Sequence, residues 1–344
     1  MDKMSPPGST VPARGSDGTQ RVFAAIDLGT NNCRLMLARA QGDGFAIVDS
    51  FSRIVRLGEG LARNGHLLDA AIDRTIEALA VCAGKIERWG VADQRHIATE
   101  ACRRAANCED FVARVAARTG LALEIIPPRE EARLALAGCV PLIDSALPRA
   151  LLIDIGGGAA QGGGVAPPGA RARPVRFVSL PLGVVTLSEQ LAGDYCDGRL
   201  PTERYDAIVS EVAGMLGEFD ARHGISQAVA SREVQMIGTS GTVTTVAAIN
   251  LGLRRYNRAP VDGSLITRGA IHMVCRSLLA QDLASLAAHG CIGHERADLV
   301  LAGCAILEGV GRRWPIDPIK VADRGLREGV LLDLIRRDQA DGGR

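Results

Sequence analysis

The chain predicts an α/β protein of two related lobes, and two observations predict it. A unit of apolar strand, aspartate and glycine turn occurs twice, and apolar residues at helical spacing fill most of the chain around the copies. The 344 residues are enough for about two domains of ordinary size. Hydrophobic residues make up 47% and charged residues 23%, the profile of a folded globular chain rather than a disordered or collagen-like one.

Residues 1–20 are rich in Pro, Gly and Ser and lack the apolar stretch of a signal peptide, so they read as a disordered lead-in. Residues 22–26 form the first buried-strand pattern, which ends in Asp27-Leu28-Gly29-Thr30-Asn31. Residues 33–38 return as a second strand, Gly42-Asp43-Gly44 turns the chain, and residues 45–51 make a third. Asp69 is placed to cap a helix with Ile72, Ile76, Leu79, Ala83 and Ile86 on one face, stopped by Gly90. Pro127-Pro128 cannot continue a helix, so Glu130 and Glu131 fall in the first turn of the one that follows. The second copy runs through residues 150–153 into Asp154-Ile155-Gly156-Gly157-Gly158, and residues 165–174 read as a long hairpin loop before a strand at 175–180. Residues 206–222 carry Ile208, Val212, Met215, Leu216 and Phe219 at helical spacing, and 297–310 is apolar almost all round, as a buried helix is. Leu326, Val330, Leu331, Leu334 and Ile335 mark a last amphipathic helix. The expected division is lobe I over 21–142 and lobe II over 143–324, with the helix at 325–338 packing back on lobe I. Two Trp, three Tyr and six Phe leave the cores to Ala, Leu, Val and Ile.

Several function classes drop out. With 40 Lys+Arg against 39 Asp+Glu the net charge is +1, so no global field draws the chain to nucleic acid or to a membrane surface. Only Lys3, Lys85 and Lys320 are lysines, and Gly84-Lys85 is followed by Ile86, so there is no P-loop. No charge-free apolar run reaches the ~20 residues of a membrane span. The nine cysteines are scattered and contain no Cys-x-x-Cys pair, which favours reduced, buried thiols and a cytoplasmic protein. His289 and His294 lack further ligands at zinc-finger spacing. The arginines 254, 255 and 258 read either as a solvated face or as the wall of a polyanion channel.

The two glycine turns carry the chemistry. Glycines let the backbone approach closely, so successive N–H groups can point at phosphate oxygens. An aspartate there is a hard oxygen ligand for Mg²⁺, which is usually held by one or two carboxylates plus substrate phosphate. Two such turns facing each other across a cleft would grip a phosphate chain from both sides. Gly238-Thr239-Ser240-Gly241-Thr242 precedes a further helix, whose N-terminus can receive an anion or be capped by its own hydroxyls. By spacing alone, Glu130 and Glu131 are favourable charge at a helix start.

At the segments AAIDLGTNNCRLM, ATEACRRA, EIIPPREEARLALAGCV, LLIDIGGG, SLPLGVVTL, MIGTSGT, HERADLVLAGCAIL and DRGLREGVL the chain resembles the exopolyphosphatase/guanosine pentaphosphate phosphohydrolase family, in its short form without a C-terminal helical extension. The resemblance implies the two-lobed actin-like (ribonuclease H-like) fold, a mixed sheet flanked by helices in each lobe, and an active site in the cleft between them. It implies a Mg²⁺-dependent hydrolase, with Mn²⁺ as a substitute and room for a monovalent cation. That hydrolase would release the terminal phosphate of inorganic polyphosphate or guanosine pentaphosphate, with no nucleic-acid or membrane partner and with a homodimer as a plausible assembly. Residue by residue, it implies that Gly29, Thr30, Asn31, Gly156, Gly157, Gly158, Gly238, Thr239, Ser240, Gly241 and Thr242 bind phosphate. Asp27, Asp154 and Gln161 would hold metal, Arg103 would contact phosphate and Glu131 would be the general base.

The chain departs from that family at one place. The usual Ser-x-Glu after the second glycine turn is Ala159-Ala160-Gln161 here. Alanine removes a hydrogen-bond donor worth ~1.5–3 kcal/mol to a charged ligand, and glutamine keeps an oxygen but loses the charge that attracts Mg²⁺. The residues therefore leave open a slow or specialised hydrolase, a non-hydrolytic sensor of the same ligands, and a kinase of the same superfold. The exopolyphosphatase-type segments disfavour the last.

Overall fold

The computed structural model describes residues 21–342 except 43, 158–159, 166–175 and 181, with 160–165 and 176–180 as backbone strands. Five strands form the first sheet: β1 (Val22–Leu28), β2 (Asn32–Gln41), β3 (Gly44–Ile54), β4 (Asp93–Ala98) and β5 (Leu123–Ile125), in the order β3-β2-β1-β4-β5. The first three are an antiparallel meander, and β4 and β5 join in parallel. The second sheet repeats that plan with β6 (Arg149–Ile155), β7 (Ala160–Val165), β8 (Arg176–Leu180), β9 (Val234–Thr239) and β11 (Ile319–Ala322), and adds the short β10 (Leu265–Ile266) at its edge. The expected α/β duplication of two mixed sheets flanked by helices is the architecture found.

Short apolar strands need both faces covered, and helices supply the cover. Val22, Ala24, Ile26 and Leu28 of β1 face a core closed by the Asp69–Trp89 and Cys108–Thr119 helices. Phe23 and Ala25 point the other way, onto Val330, Leu331, Leu334 and Ile335 of the Leu326–Ala340 helix. The second sheet buries Leu151, Ile153 and Ile155 against the Ala297–Arg313 helix, whose burial on nearly all sides matches its uniformly apolar sequence. Ala135, Leu136 and Cys139 of the Pro128–Cys139 helix meet Leu152 and Ile237 of the second sheet, so that helix joins the two halves. It also crosses the last helix at backbone distance. A Cβ on Gly138 would stand 2.0 Å from the Gly325 carbonyl oxygen, and one on Gly329 at 2.0 Å from that of Leu134. Only glycine permits this approach, and it fixes where the first turns of both helices lie.

Two local expectations need correction. Asp69 is the first helical residue rather than the cap; Leu68 takes the cap position, and the Asp69 carboxylate accepts from Arg114 at 2.8 Å. The apolar repeat at 206–222 is two helices, Thr202–Met215 and Gly217–His223, broken at Leu216. The spacing of Val212, Leu216 and Phe219 survives the break because all three face one core. The strand expected at 175–180 is β8, while the hairpin loop before it lies largely outside the described residues. Among the described residues no helix is long and apolar enough to cross a membrane.

His96 sits in β4 between Ile26 and Leu123 and is 4% exposed. Burial penalises the imidazolium and holds its pKa at about 4, against an ordinary 6.5. The unfolded chain therefore takes up a proton below pH 6.5 that the folded chain refuses until about pH 4, and stability falls across that window. A shift of this size corresponds to up to about 3 kcal/mol. Melting curves of the wild type and His96→Leu between pH 7 and pH 4 are expected to diverge, with the shallower acid loss in the variant; parallel curves would refute this.

Candidate active site in the interlobe cleft

The Asp–Gly turns of the two sheets meet in one cleft of about 540 Å³. Asp27, Gly29, Thr30 and Asn31 line it from the first sheet, and Asp154, Gly156 and Gly157 from the second. The turns are in contact. A Cβ added to Gly157 would lie 3.0 Å from Thr30 Cβ and 3.3 Å from the Asn31 backbone nitrogen. A side chain at 157 would be crowded against the first turn, which would have to give by a few tenths of an ångström, so glycine suits this close approach. The strand registers repeat as well: Asp27 pairs opposite Arg34 on β2, and Asp154 opposite Gln161 on β7.

Backbone bonds hold the first turn from behind. Val55 and Arg56 donate their N–H groups to the Asn31 carbonyl at 2.8 and 3.0 Å, and Gly58 donates to that of Thr30 at 2.9 Å. Arg56 adopts φ 47°, a region L-residues rarely visit. Its guanidinium then forks onto both carboxylate oxygens of Asp298 in the second lobe, each at 3.0 Å. Nearby, the Gly60 N–H donates to Glu189 Oε1 at 2.7 Å, a second tie between the lobes.

A third wall comes from the turn between β9 and the Ser240–Asn250 helix. Thr239, Ser240, Gly241 and Thr242 line the cleft, and the free N–H groups of the helix start open toward it. Neither hydroxyl caps that helix. Thr239 Oγ1 donates to the Arg324 carbonyl at 2.7 Å, and Ser240 Oγ to the Ile155 carbonyl at 2.6 Å. Ser240 is held at φ 79°, a strained geometry for serine that fixes this turn against the second Asp–Gly turn. Gly238 does not reach the cleft; it is buried in β9, where a Cβ would meet Val243 Cγ1 at 2.8 Å. Its glycine serves packing.

Asp27 and Asp154 are half-buried in the cleft wall, and loss of solvent raises both carboxyl pKa values. For Asp154 the negative charges of Glu131 and Asp27 add to burial and push it up to about 7. Arg34, Arg296 and Arg327 line the same cleft and form no ion pair among the described residues. Burial lowers the pKa of Arg296 and Arg327, and the positive charge of Arg34 lowers both further. Carboxylates and guanidinium groups thus share one cleft, close enough to act on one another's charge without forming ion pairs among the described residues. Arg324 and Arg258 also line the cleft but are paired, the first with Asp262 and the second with Glu328 at 3.0 Å. Glu328 Oε2 in turn accepts the Gly325 N–H at 2.8 Å, which fixes the helix start that carries Arg327.

Glu131 lies where the double proline places it, in the first turn of the Pro128–Cys139 helix, with Pro128 as the first helical residue. It lines the cleft. Glu130 turns away to Arg133 and Arg95. Arg103 is not part of the cleft wall; its guanidinium donates to Glu131 Oε2, to Glu100 Oε2 and to the Ile126 carbonyl. Gly158 and Ala159 lie outside the described residues, as does the side chain of Gln161. Of the arginine run, Arg254 and Arg255 are exposed and only Arg258 reaches the cleft. Arg34, Arg296 and Arg327 were not singled out by sequence reasoning. A charged residue inside the apolar strand at 33–38 is the one signal that could have marked Arg34.

A family model described as the Ppx/GppA phosphatase family matches residues 36–338. The chain belongs to the Ppx/GppA phosphatase family. Exopolyphosphatase 2 of Mycobacterium tuberculosis is 29% identical over 333 residues, covering 90% of this chain and 98% of that protein. A solved exopolyphosphatase-like protein superposes with a TM-score of 0.82 at 29% identity, covering 92% of this chain and 98% of that one. The Aquifex aeolicus member of the family gives 0.73 at 26% identity, with 92% and 98% covered. The duplicated two-sheet α/β fold is accordingly that of this family, and the chain is a hydrolase of phosphoric anhydride bonds.

Arg327 lines the cleft and has no ion pair among the described residues, so an arriving anion can take its guanidinium. Arg327→Gln is expected to weaken tripolyphosphate binding by roughly 10- to 100-fold, the loss of one charge-assisted hydrogen bond. Calorimetry of both proteins with and without tripolyphosphate checks this; an unaltered affinity would remove Arg327 from the anion site.

Proposed function

We propose that this protein releases the terminal phosphate of inorganic polyphosphate by in-line attack of water, with Glu131 as the general base. The observation that carries the reading is that Arg34, Arg296 and Arg327, unpaired among the described residues, line one cleft with the half-buried Asp27 and Asp154 and with backbone turns. A polyphosphate end satisfies the arginines and the N–H groups of the 29–31, 156–157 and 240–242 turns. Phosphoryl transfer needs little beyond positioning and charge neutralisation, which these groups supply. Glu131 takes a proton as the water oxygen bonds to the terminal phosphorus. The bond from that phosphorus to the bridging oxygen breaks, and the shortened chain leaves with the electron pair.

The residues fit Mg²⁺. Asp27 and Asp154 are oxygen donors whose burial and mutual repulsion a divalent cation would relieve, and two carboxylates with phosphate oxygens and water make an ordinary Mg²⁺ shell. Among the described residues no group of three His, Cys, Asp or Glu forms a closed metal site, which accords with a cation shared with the substrate. Bound there, the ion would neutralise charge on the phosphate oxygens.

Guanosine pentaphosphate presents the same terminal anhydride and is the second substrate we propose. Ala159 and Gln161 favour an alternative, a relative that binds such ligands without turning them over. Phosphate release from polyphosphate and guanosine pentaphosphate, with Mg²⁺ and with chelator, separates these readings. The expected result is Mg²⁺-dependent release that Glu131→Gln lowers by ~10²–10⁴-fold, the usual worth of a general base. Equal release by the variant would remove Glu131 from that role. Ligand binding without release by either protein would establish the sensor.

A further inference from the structure

Glu100, Arg103 and Glu131 form a bridge at the edge of the cleft. Arg103 Nη1 donates to Glu131 Oε2 at 2.8 Å and to the Ile126 carbonyl at 2.8 Å, while Nη2 donates to Glu100 Oε2 at 2.7 Å. The three side chains are 14–18% exposed. Glu100 and Glu131 line the cleft, and Arg103 lies behind them. The planar guanidinium is therefore held at both ends by partners within the protein. One partner is a backbone carbonyl that follows β5 and precedes the helix carrying Glu131.

To reach a phosphate, Arg103 would have to abandon two charge-assisted hydrogen bonds and strand two half-buried carboxylates. Arg34, Arg296 and Arg327, which lack such partners among the described residues, already line the substrate space. A carboxylate held at one oxygen by a fixed, planar donor has its own plane fixed, which a base acting on a single water requires.

We propose that Arg103 and Glu100 are positioning residues for Glu131, and that Arg103 acts on the reaction through that carboxylate rather than through the phosphate chain. This rests on the reading of Glu131 as the base. Ile126 and Glu100 clamp the guanidinium, and the guanidinium sets the direction of the Glu131 carboxylate. Glu100 is thereby a functional acid that acts on the reaction through Arg103.

The experiment is a double-mutant cycle on polyphosphate hydrolysis by the full chain, read as kcat and KM separately. Arg103→Lys, whose ammonium cannot bridge both carboxylates and the carbonyl, is expected to lower kcat on the order of 10- to 100-fold while leaving KM within about threefold. In a Glu131→Gln background the same change should cost less than about threefold, because there is no base left to position. Glu100→Ala leaves Arg103 on the Ile126 carbonyl with one side of its clamp gone, and should lower kcat about tenfold with KM unchanged. It serves as the independent arm if Arg103→Lys melts below the assay temperature. A rise in KM with kcat retained, or a loss that is additive with Glu131→Gln, would overturn the proposal and return Arg103 to the phosphate site. An unchanged kcat for Glu131→Gln alone would instead overturn the base assignment, a distinct outcome.

Discussion

Partial burial of Asp27 and Asp154 where the two sheets meet is the constraint on which the rest of the molecule turns. A carboxylate taken out of water resists ionisation unless positive charge or donors replace the lost solvent, and a second carboxylate nearby worsens matters. Both effects act here, and neither aspartate has a direct ion pair with an arginine among the described residues. The architecture answers at longer range. Arg34 stands opposite Asp27 on the next strand, and Arg327 is carried in by the last helix, each lowering the cost of the Asp27 charge without forming a pair. Charges left in that state remain available to a ligand that brings both signs, as a metal–phosphate complex does.

Keeping such a site assembled falls to backbone rather than to side chains. Gly157 lets the second turn touch Thr30 and Asn31, and Gly138 and Gly329 let two helices cross so closely that Glu131 and Arg327 enter one cleft from different segments. Arg56 and Ser240 accept unfavourable φ values, and each is compensated by bonds that tie one turn to another. Strain of this kind persists where surrounding contacts over-determine it; Ser240 lines the cleft, and Arg56 holds from behind a turn that does.

Much of this was legible beforehand, for reasons that can be named. The strand-Asp-Gly unit combines three signals, so its repetition located β1, β6 and both cleft-facing turns. The double proline at 127–128 placed Glu130 and Glu131 at a helix start, although only the structure separates the acid that lines the cleft from the one that pairs with Arg133. The three unpaired arginines were not legible because the basic residues here are nearly all arginine, and what distinguishes Arg34, Arg296 and Arg327 is the lack of a partner, a three-dimensional property. Arg103 illustrates the converse. Its motif points to phosphate, but its acceptors on Ile126 and Glu131 lie 23 and 28 residues further along the chain, beyond what spacing can reveal. The break at Leu216 escaped notice because apolar periodicity continues through it.

The claim that both lobes jointly hold one metal–phosphate end is tested most directly by a crystal structure of the Glu131→Gln protein grown with Mg²⁺ and tripolyphosphate. The terminal phosphate is expected between the 29–31 and 156–157 turns, with the cation on Asp27 and Asp154 and oxygens on Arg34, Arg296 and Arg327. A phosphate chain seated on one lobe alone, with either aspartate uninvolved, would contradict it.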